Sequence, residues 1–107
     1  IMKIYSDYKI FGIKTGVNAG VCGLKNIRND SAELFIYIGE KRLWRKGIGS
    51  RALEMLESHG IQTGLQKIWL KVGKCNLSAF HFYLARGYKI ASVENEDERF
   101  LLMEKHL

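Results

Sequence analysis

The sequence predicts one α+β domain over residues 1–107, with a single sheet and two helices. Three observations carry that reading. The 107 residues suffice for one core, and 47% of them are hydrophobic, which suits a packed globule better than a disordered tail. Extended stretches of alternating or continuous apolar residues are interrupted by two stretches of helical period. Their order is three strands, helix, strand, helix, two strands, with glycine, asparagine and aspartate marking most of the joins.

Taken in order, Ile1 ahead of Met2 reads as a remnant or the end of a clipped fragment. "MKIYSDYKIFGIKT" is extended to Thr15, and "GVNAG", residues 16–20, is a turn. "VCGLKNI" is the second strand and "RNDS" the second turn. "AELFIYI", residues 32–38, alternates and then closes fully apolar, as a central strand does. A glycine-flanked basic loop, "GEKRLWRKGIGS", follows. From Gly47 the period changes: Ile48, Ala52, Leu53, Leu56 and Ile61 fall at helical spacing opposite Arg51, Glu54 and Glu57. That helix ends between Gly60 and Gly64, and "KIWLKV", residues 67–72, is the next strand. Asn76 caps a second helix running through "LSAFHFYLAR" to Gly87, with Leu77, Phe80 and Leu84 as its core stripe. "YKIASV" and "RFLLMEK" are the last strands, around the acidic turn "ENEDE". The expected architecture is a mixed, mostly antiparallel sheet with helices on both faces.

Composition narrows the function classes. No apolar run is long enough to span a bilayer, and no charged-then-apolar leader is present, so a cytoplasmic location and no membrane partner are expected. Cys22 and Cys75 lack CxxC spacing and histidines in register, so neither a disulfide nor a metal site is expected. The 17 Lys and Arg against 11 Asp and Glu leave +6, which suits an anionic partner or simple solubility. Lys41, Arg42, Arg45, Lys46 and Arg51 cluster, favouring a local anion site. Nucleic acid is disfavoured, because apart from Trp44 no aromatics interleave with the basic cluster.

The cluster runs into "GIGSRA", residues 47–52. This satisfies a dinucleotide-binding pattern formally, but a long basic loop replaces the tight strand-to-helix turn. No acidic residue follows about twenty positions on, where "KIWLKVGK" lies. The lysine–serine ending of a nucleoside-triphosphate loop is also missing. What remains is general chemistry. A helix start leaves backbone N–H groups without partners and carries partial positive charge, and glycines let an anion approach. The plainer reading is a loosened helix start beside a solvated basic face.

On the second helix Asn76, Ala79 and Tyr83 lie along one face over about two turns, roughly 10 Å. A small residue between two polar ones leaves a shallow groove, with an amide at one end and a phenol able to give up a proton at the other. The plainer reading is a boundary tyrosine with its hydroxyl in water.

Together, "RKGIGS" before a helix and "N..A..FY...GY" on the next resemble the signature of the Gcn5-related N-acetyltransferase (GNAT) superfamily, over about residues 10–107. "IYIGEKRLWRKGIG" looks most like the branch acting on ribosomal-protein N-termini, polyamines or amino sugars. The resemblance implies the acyl-CoA N-acyltransferase fold and acetyl-CoA as cosubstrate. The amides of Gly47, Ile48, Gly49 and Ser50, with Arg45 and Lys46, would hold its diphosphate. The strand Phe35–Ile38 would splay from Trp69–Val72, and the pantetheine arm would pair with backbone near Tyr37 and Ile38. Asn76 would touch the pantetheine, and Tyr83 would protonate the departing thiolate. The acceptor would be a primary amine, on a small molecule or a protein N-terminus, attacking directly in a ternary complex. As base, Glu40 lies nearer the expected cleft than Glu33, and Lys71 stands where some relatives carry a glutamate. The family's first strand and helices have no counterpart here, so the domain reads as shortened at the N-terminus. A fragment, a minimal enzyme that borrows a wall from a partner in a homodimer, and a CoA-binding module without turnover are the alternatives.

Overall fold

The computed structural model describes residues 4–5, 8–14, 18–39, 47–91 and 99–107. Its strands are β1 (Ile4–Tyr5), β2 (Tyr8–Lys14), β3 (Asn18–Arg28), β4 (Ser31–Ile38), β5 (Lys67–Gly73), β6 (Lys89–Ile90) and β7 (Phe100–His106). The helices are α1 (Ile48–Gln62), between β4 and β5, and α2 (Leu77–Leu84), between β5 and β6. The seven strands form one sheet in the order β1-β2-β3-β4-β5-β7-β6, antiparallel throughout except at β4–β5. A strand–helix–strand connection produces that parallel pair, as βαβ units require.

Period-two patterning fixes which side chains meet. Leu24 pairs with Leu34 and Leu70 with Met103, all on one face of the sheet, while Trp69 pairs with Glu104 on the other. α1 presents Ala52, Leu53, Leu56 and Gly60 to the first face, where they join Cys22, Leu24, Ala32, Leu34, Ile68, Leu70, Val72 and Met103 in the core. Full burial of a residue such as Leu56 contributes about 1.5–3 kcal/mol. Burial also raises the Cys22 thiol pKa.

The mixed, mostly antiparallel sheet with two helices is as expected, with three differences of detail. The first extended stretch is two strands, since Tyr5 folds back to pair with Tyr8. α1 ends at Gln62, within the expected Gly60–Gly64, and Gly60 lets Leu65 and Leu107 pack against the helix where a Cβ would crowd both at 3.2 Å. The helices were expected on opposite faces, yet they touch. Phe82 of α2 lies against Gly49, and Tyr88 just beyond α2 donates to Glu57 of α1 at 2.9 Å. Both therefore cover the same face. Leu77 and Leu84 are exposed, while Ala79, Phe80, Phe82 and Tyr83 pack on the core. α2 thus turns its aromatic side inward toward α1, and the leucine stripe read from spacing lies outside.

Candidate active site

The site begins where the sheet opens. β4 and β5 pair at Ser31–Lys67, Ala32–Ile68 and Glu33–Trp69, and there the ladder stops, although β4 continues to Ile38 and β5 to Gly73. On its other edge β4 stays paired with β3 as far as Gly20–Ile38. Gly20 is required there by close approach, because a Cβ would collide with the Tyr37 carbonyl oxygen and press on the Ile38 Cα. Tyr37 is largely exposed.

α1 starts beyond this open end. Its N-cap, Gly47, has φ 81°, a left-handed conformation that other residues adopt only with strain. Gly47 offers no capping side chain, no described side chain caps the helix, and its first turn holds no acidic residue. Among the described residues the N–H groups of Ile48, Gly49 and Ser50 meet no acceptor. Gly49 faces the Phe82 ring, where an added Cβ would sit in ordinary contact at 3.5 Å, so packing against α2 does not itself require a glycine there. Arg45, Lys46 and Glu40 lie outside the described residues, as do Lys41, Arg42 and Trp44.

α2 packs against the start of α1 through Phe82, with Arg86 just beyond it. Asn76 accepts from the Ala79 N–H at 3.2 Å as the cap the sequence predicted, and among the described residues its side-chain N–H₂ has no partner. Tyr83 packs edge-on to Phe82 and Tyr88, with ring centroids 5.1 and 5.5 Å apart. Burial raises its phenol to about 12, so it stays protonated through the neutral range. Tyr88 is raised as well, by burial first and then by the Glu57 carboxylate.

Two residues gain prominence that sequence reasoning did not give them. Glu33 is the one buried charged side chain among the described residues, 5% exposed, on the last paired rung before the strands part. Asn26, in a left-handed bulge of β3 with φ 51°, donates to it at 2.9 Å, and Lys25 pairs with it at 3.8 Å. On the same face a cleft of about 290 Å³ lies over Lys67, Trp69, Ala91, Leu102 and Glu104. Arg86, just past α2, reaches back to α1. Its Nε and Nη2 donate to Ser50 Oγ at 2.9 and 2.6 Å. No spacing rule links positions 50 and 86, so only the fold reveals that contact.

The described structure is an α+β sheet that opens between two parallel strands, with the helix that joins them starting at a left-handed glycine. Comparison with known proteins gives the family. Residues 4–88 match the model of the acetyltransferase (GNAT) family, and the chain belongs to it. A comparison with curated proteins returns no match. Among solved structures, the PaiA N-acetyltransferase of Thermoplasma acidophilum in complex with coenzyme A is similar with TM-score 0.83 and 28% identity, over 94% of this chain and 62% of that one. The chain thus spans 62% of that relative's length. A GNAT acetyltransferase of Elizabethkingia anophelis with acetyl-CoA bound has TM-score 0.81 at 16% identity, over 95% and 78% of the two chains. The ribosomal-protein-S18-alanine N-acetyltransferase of Escherichia coli has 0.79 at 24%, over 96% and 71%. These last two likenesses establish the fold.

Proposed function

We propose that this domain transfers an acetyl group from acetyl-CoA to a primary amine, with both substrates bound at once. The observation that carries the reading is the end of the β4–β5 ladder at Glu33–Trp69, with the uncapped start of α1 beyond it. Similarity to structures holding coenzyme A or acetyl-CoA supports the same cosubstrate.

The residues fit that ligand. Three N–H groups without acceptors, those of Ile48, Gly49 and Ser50, suit a diphosphate at the positive end of α1. Gly47 supplies the turn, and Arg45 and Lys46 add charge. The edge of β4 near Tyr37 and Ile38 would pair with the pantetheine amides, and Asn76 would offer its N–H₂ from the α2 side. When bound, acetyl-CoA supplies an activated acyl carbon.

The chain's own groups then handle protons. An alkyl ammonium, with pKa near 10, must lose a proton before its nitrogen can attack. A glutamate does this. Of the two that the sequence offers, Glu40 comes two positions after Ile38 in the sequence, outside the described residues, and Glu33 stands at the parting of the strands, buried and held by Asn26 and Lys25. Burial and position favour Glu33, with the acceptor entering over Trp69. Tyr83 holds its proton several units more tightly than a thiol does, so it acts as a hydrogen-bond donor to the departing sulfur. Its proton passes over only as the acceptor gives up its own, and the sum is one amide and one thiol from one thioester and one amine.

The test is thiol release from acetyl-CoA with a panel of polyamines, amino sugars and peptides with free N-termini. The expected result is amine-dependent release, cut about a hundredfold or more by Glu33→Gln. A larger loss in Glu40→Gln than in Glu33→Gln would return the base to Glu40. Thermal stabilisation by CoA with no turnover on any amine would leave a CoA-binding module in place of the enzyme.

A further inference from the structure

Arg86 is anchored at several points between α2 and α1. Its guanidinium lies over the Phe82 ring, 3.9 Å from the centroid, and Nη1 donates to the Phe82 carbonyl at 3.1 Å. Nε and Nη2 both donate to Ser50 Oγ. Among the described residues no carboxylate pairs with Arg86, whereas Glu33, Glu57 and Glu104 are each matched to a lysine. The charge is thus fixed but uncompensated within the described chain.

The effect falls on Ser50. A serine hydroxyl has one hydrogen and two lone pairs. When two N–H groups of one guanidinium occupy both lone pairs, the hydroxyl can act only as a donor. The positive charge behind it strengthens that donation. Ser50 is the third residue of α1, level with the N–H groups that meet no acceptor. Two further guanidinium hydrogens, one on each Nη, are not taken up by Ser50 or Phe82.

We propose that Arg86 is a positioning residue of the cosubstrate's phosphate end, acting through Ser50. It turns the Ser50 hydroxyl into an obligate donor, makes the start of α1 selective for a doubly charged diphosphate over a neutral ligand, and ties that selectivity to α2. The inference rests on the acetyl-CoA reading of the site and adds a specificity determinant to it.

The experiment measures binding of coenzyme A, of inorganic pyrophosphate and of phosphate-free S-acetylpantetheine to the wild-type chain, Arg86→Ala, Arg86→Lys and Ser50→Ala, with the melting temperature of each free protein as a folding control. The expected result is a loss of about tenfold or more in coenzyme A affinity for Arg86→Ala, and a similar loss for Ser50→Ala. The double variant should be little worse than either single one, because one residue acts through the other. Arg86→Lys should recover only part, since an ammonium lacks the two-pronged geometry. The affinity ratio of coenzyme A to S-acetylpantetheine should fall with the first of these. Additive losses, or equal losses for all three ligands, would mean a structural role and overturn the proposal. Tight coenzyme A binding that none of the variants disturbs overturns it too, while leaving the acetyl-CoA reading standing. A wild-type chain that binds neither coenzyme A nor pyrophosphate overturns both.

Discussion

Tyr83 shows how one side chain links packing to chemistry. Burial raises its phenol to about 12 where it packs edge-on to Phe82 and Tyr88, and so keeps its proton in place at neutral pH. The stability consequence has a definite sign. The unfolded phenol ionises near 10 and the folded one near 12, so the group has no effect below pH 10 and withdraws stability as pH rises between those values. Tyr83→Phe should therefore lose about 1 kcal/mol less stability than wild type between pH 8 and pH 11, read from denaturant melts at both. The same variant should lower turnover about a hundredfold while changing coenzyme A affinity little. Identical alkaline loss in the two proteins would show that the phenol is not held as described.

The candidate residues were legible in unequal degree. Gly47, Ser50, Asn76 and Tyr83 could be picked out because each sits at a helix end or on a helix face where spacing predicts orientation. Asn76 does cap α2, as its place before "LSAF" implied. Glu33 was visible but ranked behind Glu40, because alternation along β4 gives a face and not a degree of burial. Its surroundings depend on a bulge at Asn26 that the strand pattern does not announce. Arg86 was not legible as a partner of Ser50, since 36 residues separate them and only the docking of α2 on α1 closes the gap.

At the scale of elements, β4, α1, β5 and α2 follow the sequence closely because each has a strong period and a marked end. The inner face of α2 did not follow. Its eight residues carry apolar side chains nearly all round, so spacing alone allowed either stripe. Packing against α1 and the core selects the Phe82–Tyr83 side, where the Phe82 ring lies over Gly49. Truncation therefore separates the two stripes. Leu77→Ala should change stability by less than about 0.5 kcal/mol, as expected of an exposed position, and Phe82→Ala should cost about 2 kcal/mol or more. Urea unfolding of both variants decides it. A reversed order would put the leucine stripe in the core after all.

For the whole molecule, one opening organises everything else. Among the described residues the sheet is continuous from β1 to β4 and from β5 through β7 to β6, and β4 and β5 part beyond Glu33–Trp69. Both helices cover one face, so the other carries Trp69, Leu102 and the Lys67–Glu104 pair around the cleft assigned to the acceptor. The class of fold was legible because strand and helix periods alternate cleanly. The side on which each helix lies was not, because handedness and docking are properties of the assembled sheet.

The central claim is that the start of α1 grips a diphosphate while β4 receives the pantetheine arm. Backbone amide NMR during titration with coenzyme A tests it most directly. Saturable shifts should concentrate at Ile48, Gly49 and Ser50 and along residues 35–38, with the leucines on the outer side of α2 unmoved. Saturable shifts confined to other parts of the chain, with those amides unchanged, would contradict the account.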